Sequence, residues 1–360
     1  MARSVPGIPV IVDPRCRDHD PASEIWIGVP TAAAEVAERV TVIESALRSL
    51  DYQIVPAREY DDNWLTCVHS PELLDHLAGV WDRWVAGGYP DQGAHRVVPY
   101  LFPSPELCQG LPRRMPAALH AKAGLYCYDT MTLVGPGSWG AIRAATRVAR
   151  TAAEVVTSGR PAAYALTRPP GHHATRSAYG GSCYLNNAAV AAQALRDGGF
   201  AEVAVVDVDA HHGNGTQAIF YDRPDVFTAS VHVDPGAGWF PHYVGFPDET
   251  GRGLGSEANL NVALAPGTGD VGWLAAVERA AQAVVDRGAA ALVVGLGVDA
   301  AADDPESPLQ VTVEGYRRAG ALLGALGLPT VVVQEGGYHL PTLGRLVGAA
   351  LAGFADGAGR

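Results

Sequence analysis

The chain has 360 residues, 48% of them apolar and 18% charged, so it can bury a substantial core and has the balance of a globular protein. Its formal net charge of −12 argues against nucleic acid or an anionic membrane as the main partner. The five cysteines (Cys16, Cys67, Cys108, Cys127 and Cys183) are odd in number, widely spaced and include no CxxC pair, so neither a thiolate zinc cage nor a disulfide scaffold is indicated.

Residues 1–12 lack the positive start and continuous apolar stretch of a secretory leader. No run reaches the roughly 18 apolar residues of a membrane span, so a cytoplasmic protein with no membrane partner is expected. To about residue 80, short strand-like runs mix with helical ones. Residues 31–50 place Val36, Val40, Ile43 and Leu47 at helical spacing, which predicts an amphipathic helix. From 87 to 122, glycine, proline and polar residues break every period, which predicts a long functional or interface loop. Residues 138–159, rich in alanine and valine, read as a second helix.

Beyond that point the order is regular. Strands are expected at 162–166, 203–208, 226–231, 291–296 and 330–333, and helices at 187–195, 273–285 and 313–326. Continuous apolar strands alternating with helices predict an α/β fold, a parallel sheet covered on both faces. Active sites of such sheets gather beyond the C-terminal ends of the strands. With no repeat and no linker, the chain reads as one domain, 1–360, with a long loop insertion at about 81–122.

Four strand ends carry residues suited to chemistry. After the strand at 203–208, Asp209 and His211 are two apart and can face one metal together. Asp299 follows the strand Ala291–Leu296 and adds a carboxylate at the equivalent rim. Two oxygen ligands and one nitrogen ligand, with room for water, describe a catalytic metal site. His172 and His173 follow a Pro-Gly turn, either as metal ligands or as loop residues, and Tyr338 follows two glycines that allow a sharp turn.

Taken together, RPPGHHA (168–174), DVDAHHGNG (207–215), GLGVDAAADDP (295–305) and EGGY (335–338) resemble the histone deacetylase family. WDRW (81–84), GPGSW (135–139) and CYLNNAAVAAQ (183–193) are closer to its bacterial acetylpolyamine amidohydrolases. The resemblance runs from about residue 11 to the C-terminus. It implies the arginase-deacetylase α/β fold, a single parallel sheet flanked by helices on both faces. It also implies one zinc ion per chain, held by Asp209, His211 and Asp299. His172 and His173 become the tandem histidines beside the attacking water, hydrogen-bonded to Asp207 and Asn214 respectively. Tyr338 becomes the donor to the substrate carbonyl oxygen, and Asp207 with Ser230 matches a structural potassium site. The region 81–122 matches the segment through which the bacterial enzymes dimerise, which implies a homodimer.

The implied activity is zinc-dependent hydrolysis of the acetamide of N-acetylated amines. Glu306 falls where polyamine-specific relatives carry a glutamate at the tunnel mouth, and Glu24 where the bacterial enzymes place an acid. Both favour acetylpolyamines or a related cationic small molecule. Two departures point elsewhere: His120 and Met131 stand where further acids are expected, and Ser182, after Gly181, replaces a tunnel aromatic while Phe240 supplies the opposite wall. Acetyl-lysine proteins or a bulkier secondary-metabolite intermediate are therefore alternative substrates. Arginase chemistry is disfavoured, because the further carboxylates of a two-manganese site are replaced by Gly213 and Ala301. A non-catalytic binder of acetylated ligands would be expected to have lost Tyr338 or a histidine, and all are present.

Overall fold

The computed structural model describes residues 7–92, 95–112 and 114–359. Residues 1–6, half of the segment read for a leader, lie outside that description. Among the described residues there are ten strands: β1 (Val10–Val12), β2 (Ser23–Trp26), β3 (Val29–Ala32), β4 (Ile54–Pro56), β5 (Ala162–Ala165), β6 (Val203–Asp207), β7 (Val226–Val233), β8 (Asn259–Leu264), β9 (Ala291–Leu296) and β10 (Thr330–Gln334). Eight of them form one sheet in the order β4-β1-β5-β10-β9-β6-β7-β8, parallel at every pairing.

Every residue of β5, β6, β7, β9 and β10 is buried, as continuous apolar runs must be when helices cover both faces. One layer contains Ser138–Thr157 and Asn187–Asp197, which pack on each other and on β5, β6, β9 and β10. The other contains Asp270–Arg287, Val313–Gly324, Leu340–Ala358 and Glu38–Ser49. Side-chain caps start several of these helices: Asn186 accepts from the Ala189 N–H and Thr312 from the Gly315 N–H. Among the described residues no helix is long and apolar enough to cross a membrane.

The expected strands and helices from residue 138 onward are found with ends shifted by a few residues. The first segment differs more. The helix expected over 31–50 begins only at Glu38, because residues 29–32 pair with β2 in an antiparallel hairpin. Its tip, Ile27-Gly28, has φ of 42° and 84°, the two positive values of a tight hairpin turn. The segment expected as a loop is partly helical. Trp81 and Trp84 belong to Pro71–Ala86, capped by Ser70 with proline in its first turn, and Leu119–Tyr126 is a further helix. The helix Leu340–Ala358 was not expected at all. Its glycines weaken the helical signal, yet Gly353 and Gly357 let its backbone press against Arg317 and Ala321 of the neighbouring helix.

Candidate active site

β5, β10, β9 and β6 are consecutive in the middle of the sheet, so the loops leaving their C-terminal ends lie side by side. These four loops carry all the expected catalytic residues. After β6, Asp209 and His211 meet Asp299 from β9, with donor atoms all within 4.8 Å of one another. His211 Nδ1 is 2.9 Å from Asp299 Oδ2 and 3.3 Å from Asp209 Oδ1. Both carboxylates are fully buried.

A single imidazole proton cannot serve two buried carboxylates, and unpaired charge in such a place is costly. Burial, and then the charge of Asp209, pushes Asp299 up to about 7. One divalent cation would satisfy all three groups, and two oxygens with one nitrogen fit zinc with a position left for water. Main-chain donors orient the remaining lone pairs: Ala210 N–H reaches Asp299 Oδ1 at 2.8 Å and Gly336 N–H reaches Asp209 Oδ2 at 2.7 Å. A Cβ at Gly336 would sit 2.5 Å from Asp209 Oδ2 and 2.6 Å from Asp299 Oδ2, so glycine is required for this approach.

The tandem histidines have different partners. His172 Nδ1 lies 2.9 Å from Asp207 Oδ2, and His173 Nδ1 lies 2.6 Å from Asn214 Oδ1. Their ring centroids are 4.0 Å apart. Burial pulls His172 down, but the charges of Asp209 and Asp207 outweigh it and lift the group to about 10. Burial, then the neighbouring His172 and His211, hold His173 well below the ordinary imidazole value. Two histidines in one pocket are thus driven apart in proton affinity, His172 by carboxylate charge and His173 by burial beside two other imidazoles.

Several supporting residues were not visible in the sequence. Glu335 Oε2 accepts the N–H groups of Gly171 and His172 at 2.6 and 3.1 Å, which ties the β10 loop to the histidine loop. The Arg39 guanidinium donates to the carbonyls of Glu335 and Gly337 at 2.6 and 2.7 Å and lies 4.8 Å from the Tyr338 ring centroid. Glu35 bridges Arg39 and Arg168 at 2.8 Å each, and all three are buried. Removing one member of such a buried group typically costs about 3–5 kcal/mol, because the other charges stay behind unpaired. Helical spacing puts Arg39 one turn from Ile43 beside the apolar face, but the carbonyls it meets lie some 300 residues away.

A second convergence of donors, His172, Cys183 and Glu335, is differently disposed. Glu335 Oε2 and His172 Nδ1 are already engaged, and burial raises the Cys183 thiol well above its ordinary value, so it stays protonated. Gly213 and Ala301, at the places where arginases need further ligands, offer none.

A cavity of about 520 Å³ opens over the site. His173, His211 and Tyr338 line it, with all five of the expected substrate-binding residues: Glu24, Gly181, Ser182, Phe240 and Glu306. Glu24 and Trp26 alternate on β2 and so face the cavity together. The Phe240 ring stands 4.8 Å from that of His173, edge to face. Asp129, also missed, holds the opposite wall by accepting the Gly181 N–H at 2.5 Å. Ser182 borders both the cavity and a void of about 10 Å³ shared with Glu24, Met131 and Tyr184. Of the residues expected to replace acids, Met131 lines the cavity, whereas His120 is bonded to the Tyr89 hydroxyl at 3.0 Å. Burial, then Glu306, pushes Glu24 up to about 7, and burial also raises Glu306.

Known proteins match this chain over nearly its whole length. The histone deacetylase domain matches residues 33–354. The acetylpolyamine amidohydrolase of Mycoplana ramosa is 38% identical over 335 residues, 92% of this chain and 95% of that one. Acetylpolyamine amidohydrolase 1 of Pseudomonas aeruginosa is 38% identical over 345 residues, 96% and 97% of the two chains. The crystal structure of an acetylpolyamine aminohydrolase from Burkholderia pseudomallei superposes with a TM-score of 0.91 at 36% identity, covering 98% of this chain and 99% of that one.

Proposed function

Because the chain belongs to the histone deacetylase family of hydrolytic deacetylases, we propose that it removes acetyl groups from small cationic amines, acetylpolyamines first, with one zinc ion per chain. The observation that carries this reading is the meeting of Asp209, His211 and Asp299 with His173 and Tyr338 at the end of a cavity that Glu24 and Glu306 also line.

Asp209, His211 and Asp299 would hold the zinc ion, which when bound polarises the acetyl carbonyl and makes a water more acidic. His173 donates its Nδ1–H in a hydrogen bond to the Asn214 amide oxygen, so its Nε2 lone pair is free to take a proton from that water and return it to the departing amine. Asp207 holds His172 through Nδ1 and so fixes the ring beside the reacting groups. Tyr338 donates its O–H to the carbonyl oxygen as negative charge develops there. Phe240 and the Gly181 wall align the amide between them. Asp207 and Ser230 pair in register on β6 and β7. The Asp207 carboxylate is taken by His172 and the Asp209 N–H, so potassium there would rest on main-chain carbonyls and the Ser230 hydroxyl.

The test of substrate class is acetate release from acetylputrescine, acetylspermidine and acetyl-lysine peptides. Glu306→Leu is expected to lower kcat/KM for acetylputrescine roughly tenfold, the effect of one partly solvated charge a few ångströms away. A neutral acetamide of equal length should lose nothing, and salt should shrink the wild-type preference. Glu24 would ionise more fully once Glu306 is gone, so Glu24→Gln with Glu306→Leu should lose more than either alone. Equal loss on charged and neutral substrates would make Glu306 structural. Ser182, a small side chain on the cavity wall where a tunnel aromatic is expected, favours a bulkier acetylated amine as the second reading.

A homodimer is part of the proposal, supported by Tyr100, Leu101, Leu107, Leu111 and Met115, all exposed on one segment. Light scattering should give twice the mass of one chain, and Leu107→Glu with Leu111→Glu should give one. The unpaired state of all five cysteines supports the cytoplasm as the compartment.

A further inference from the structure

We infer that Asp304 is a positioning residue that locks the carbonyl donor Tyr338 and the mouth residue Glu306 into one unit; this rests on the reading of the site given above. Asp304 is 6% exposed and stands on the loop after β9, five residues beyond Asp299. Its Oδ2 accepts the main-chain N–H of Tyr338 at 2.6 Å and that of His339 at 3.1 Å. Its Oδ1 accepts the Glu306 N–H at 3.1 Å, closing a turn in which Pro305 restricts φ. One carboxylate therefore serves three main-chain donors on two loops.

The other contacts of the Tyr338 loop leave this task undone. Arg39 grips the carbonyls of Glu335 and Gly337 and covers the tyrosine ring, but the N–H of Tyr338 itself is held by Asp304. Hydrogen bonds to an ionised acceptor are roughly twice as strong as neutral ones. Letting that peptide turn would swing the hydroxyl away from the carbonyl it must meet. The same release would free the Glu306 backbone, so a cation drawn to the mouth and the donor at the base are fixed by one side chain.

Asp304→Asn keeps the size of the side chain but leaves one acceptor for three donors, so one loop must let go. Its expected effect is a loss of kcat on acetylputrescine of about tenfold, a fraction of the 10²-fold that a 1 Å misplacement can cost. Metal content and melting temperature should stay near wild type, and main-chain amide exchange at Tyr338 and His339 should quicken. In a Tyr338→Phe background the same change should cost less than about twofold, because the donor it positions is gone. Equal losses in the two backgrounds, or no loss in the first, would overturn the assignment. If the asparagine variant loses metal or melts early, Asp304→Ser is judged by the same cycle. A wild-type enzyme inert toward acetylputrescine would defeat the substrate reading instead, and the cycle would then use the acetamide that it does cleave.

Discussion

Tyr338→Phe is expected to leave folding and metal content intact while lowering kcat by about 10²–10³, the usual cost of one donor to a developing oxyanion. The fold should tolerate the change because the ring is held from outside its hydroxyl: Arg39 lies over its face and Asp304 binds its N–H. Burial raises the phenol well above its ordinary value, so the hydroxyl keeps its proton near neutral pH and can act as a donor there. The bond it makes strengthens as charge reaches the carbonyl oxygen, so kcat and kcat/KM should fall together with KM little changed. The measurement needs an unactivated acetamide, since a labile ester or anilide requires less polarisation. Near-wild-type turnover on such a substrate would remove Tyr338 from the chemistry.

Stripping the protein with a chelator should lower turnover by at least about 10³, because the cation supplies several kcal/mol of transition-state stabilisation. One equivalent of zinc per chain should restore it. The apo protein should also melt several degrees lower. Asp209 and Asp299 are buried close together, and a ligand bound only by the folded state stabilises it by about 4 kcal/mol at a thousand times its dissociation constant. Elemental analysis returning two tightly bound ions at this site, or full activity with none, would overturn the single-zinc reading. His211→Ala offers an independent check, since it deletes the only nitrogen donor while leaving the carboxylates in place.

The parallel half of the fold was legible because β6, β9 and β10 are short, largely apolar runs that lead directly into the polar and glycine-rich segments 207–215, 297–305 and 334–338. The ligands could be named from the sequence because Asp209 and His211 are local to one another and Asp299 ends an equivalent strand. What could not be read is what arrives from far away. Arg39 sits some 300 residues before the loop it braces, in a helix whose periodicity marks its apolar face but not a guanidinium buried on it, and its partner Glu35 precedes that helix. Asp304 and Glu335 act on main-chain N–H groups, and those partners leave no trace in side-chain identity. The helices Pro71–Ala86 and Leu340–Ala358 were obscured by charge in one and glycine in the other, where tertiary packing outweighs local preference.

The sheet order bears on how the protein is made. β10, the last strand to leave the ribosome, is inserted between β5 and β9, which do not pair with each other. Until residues 330–334 emerge, β4-β1-β5 and β9-β6-β7-β8 can form only as separate halves, each with an open edge. A nascent chain would expose those edges for most of its synthesis, a period in which chaperones are most useful. A premature stop anywhere before β10 would leave the ligand half severed from the histidine half, so even a short C-terminal truncation reaching this strand should yield an inactive, aggregation-prone product.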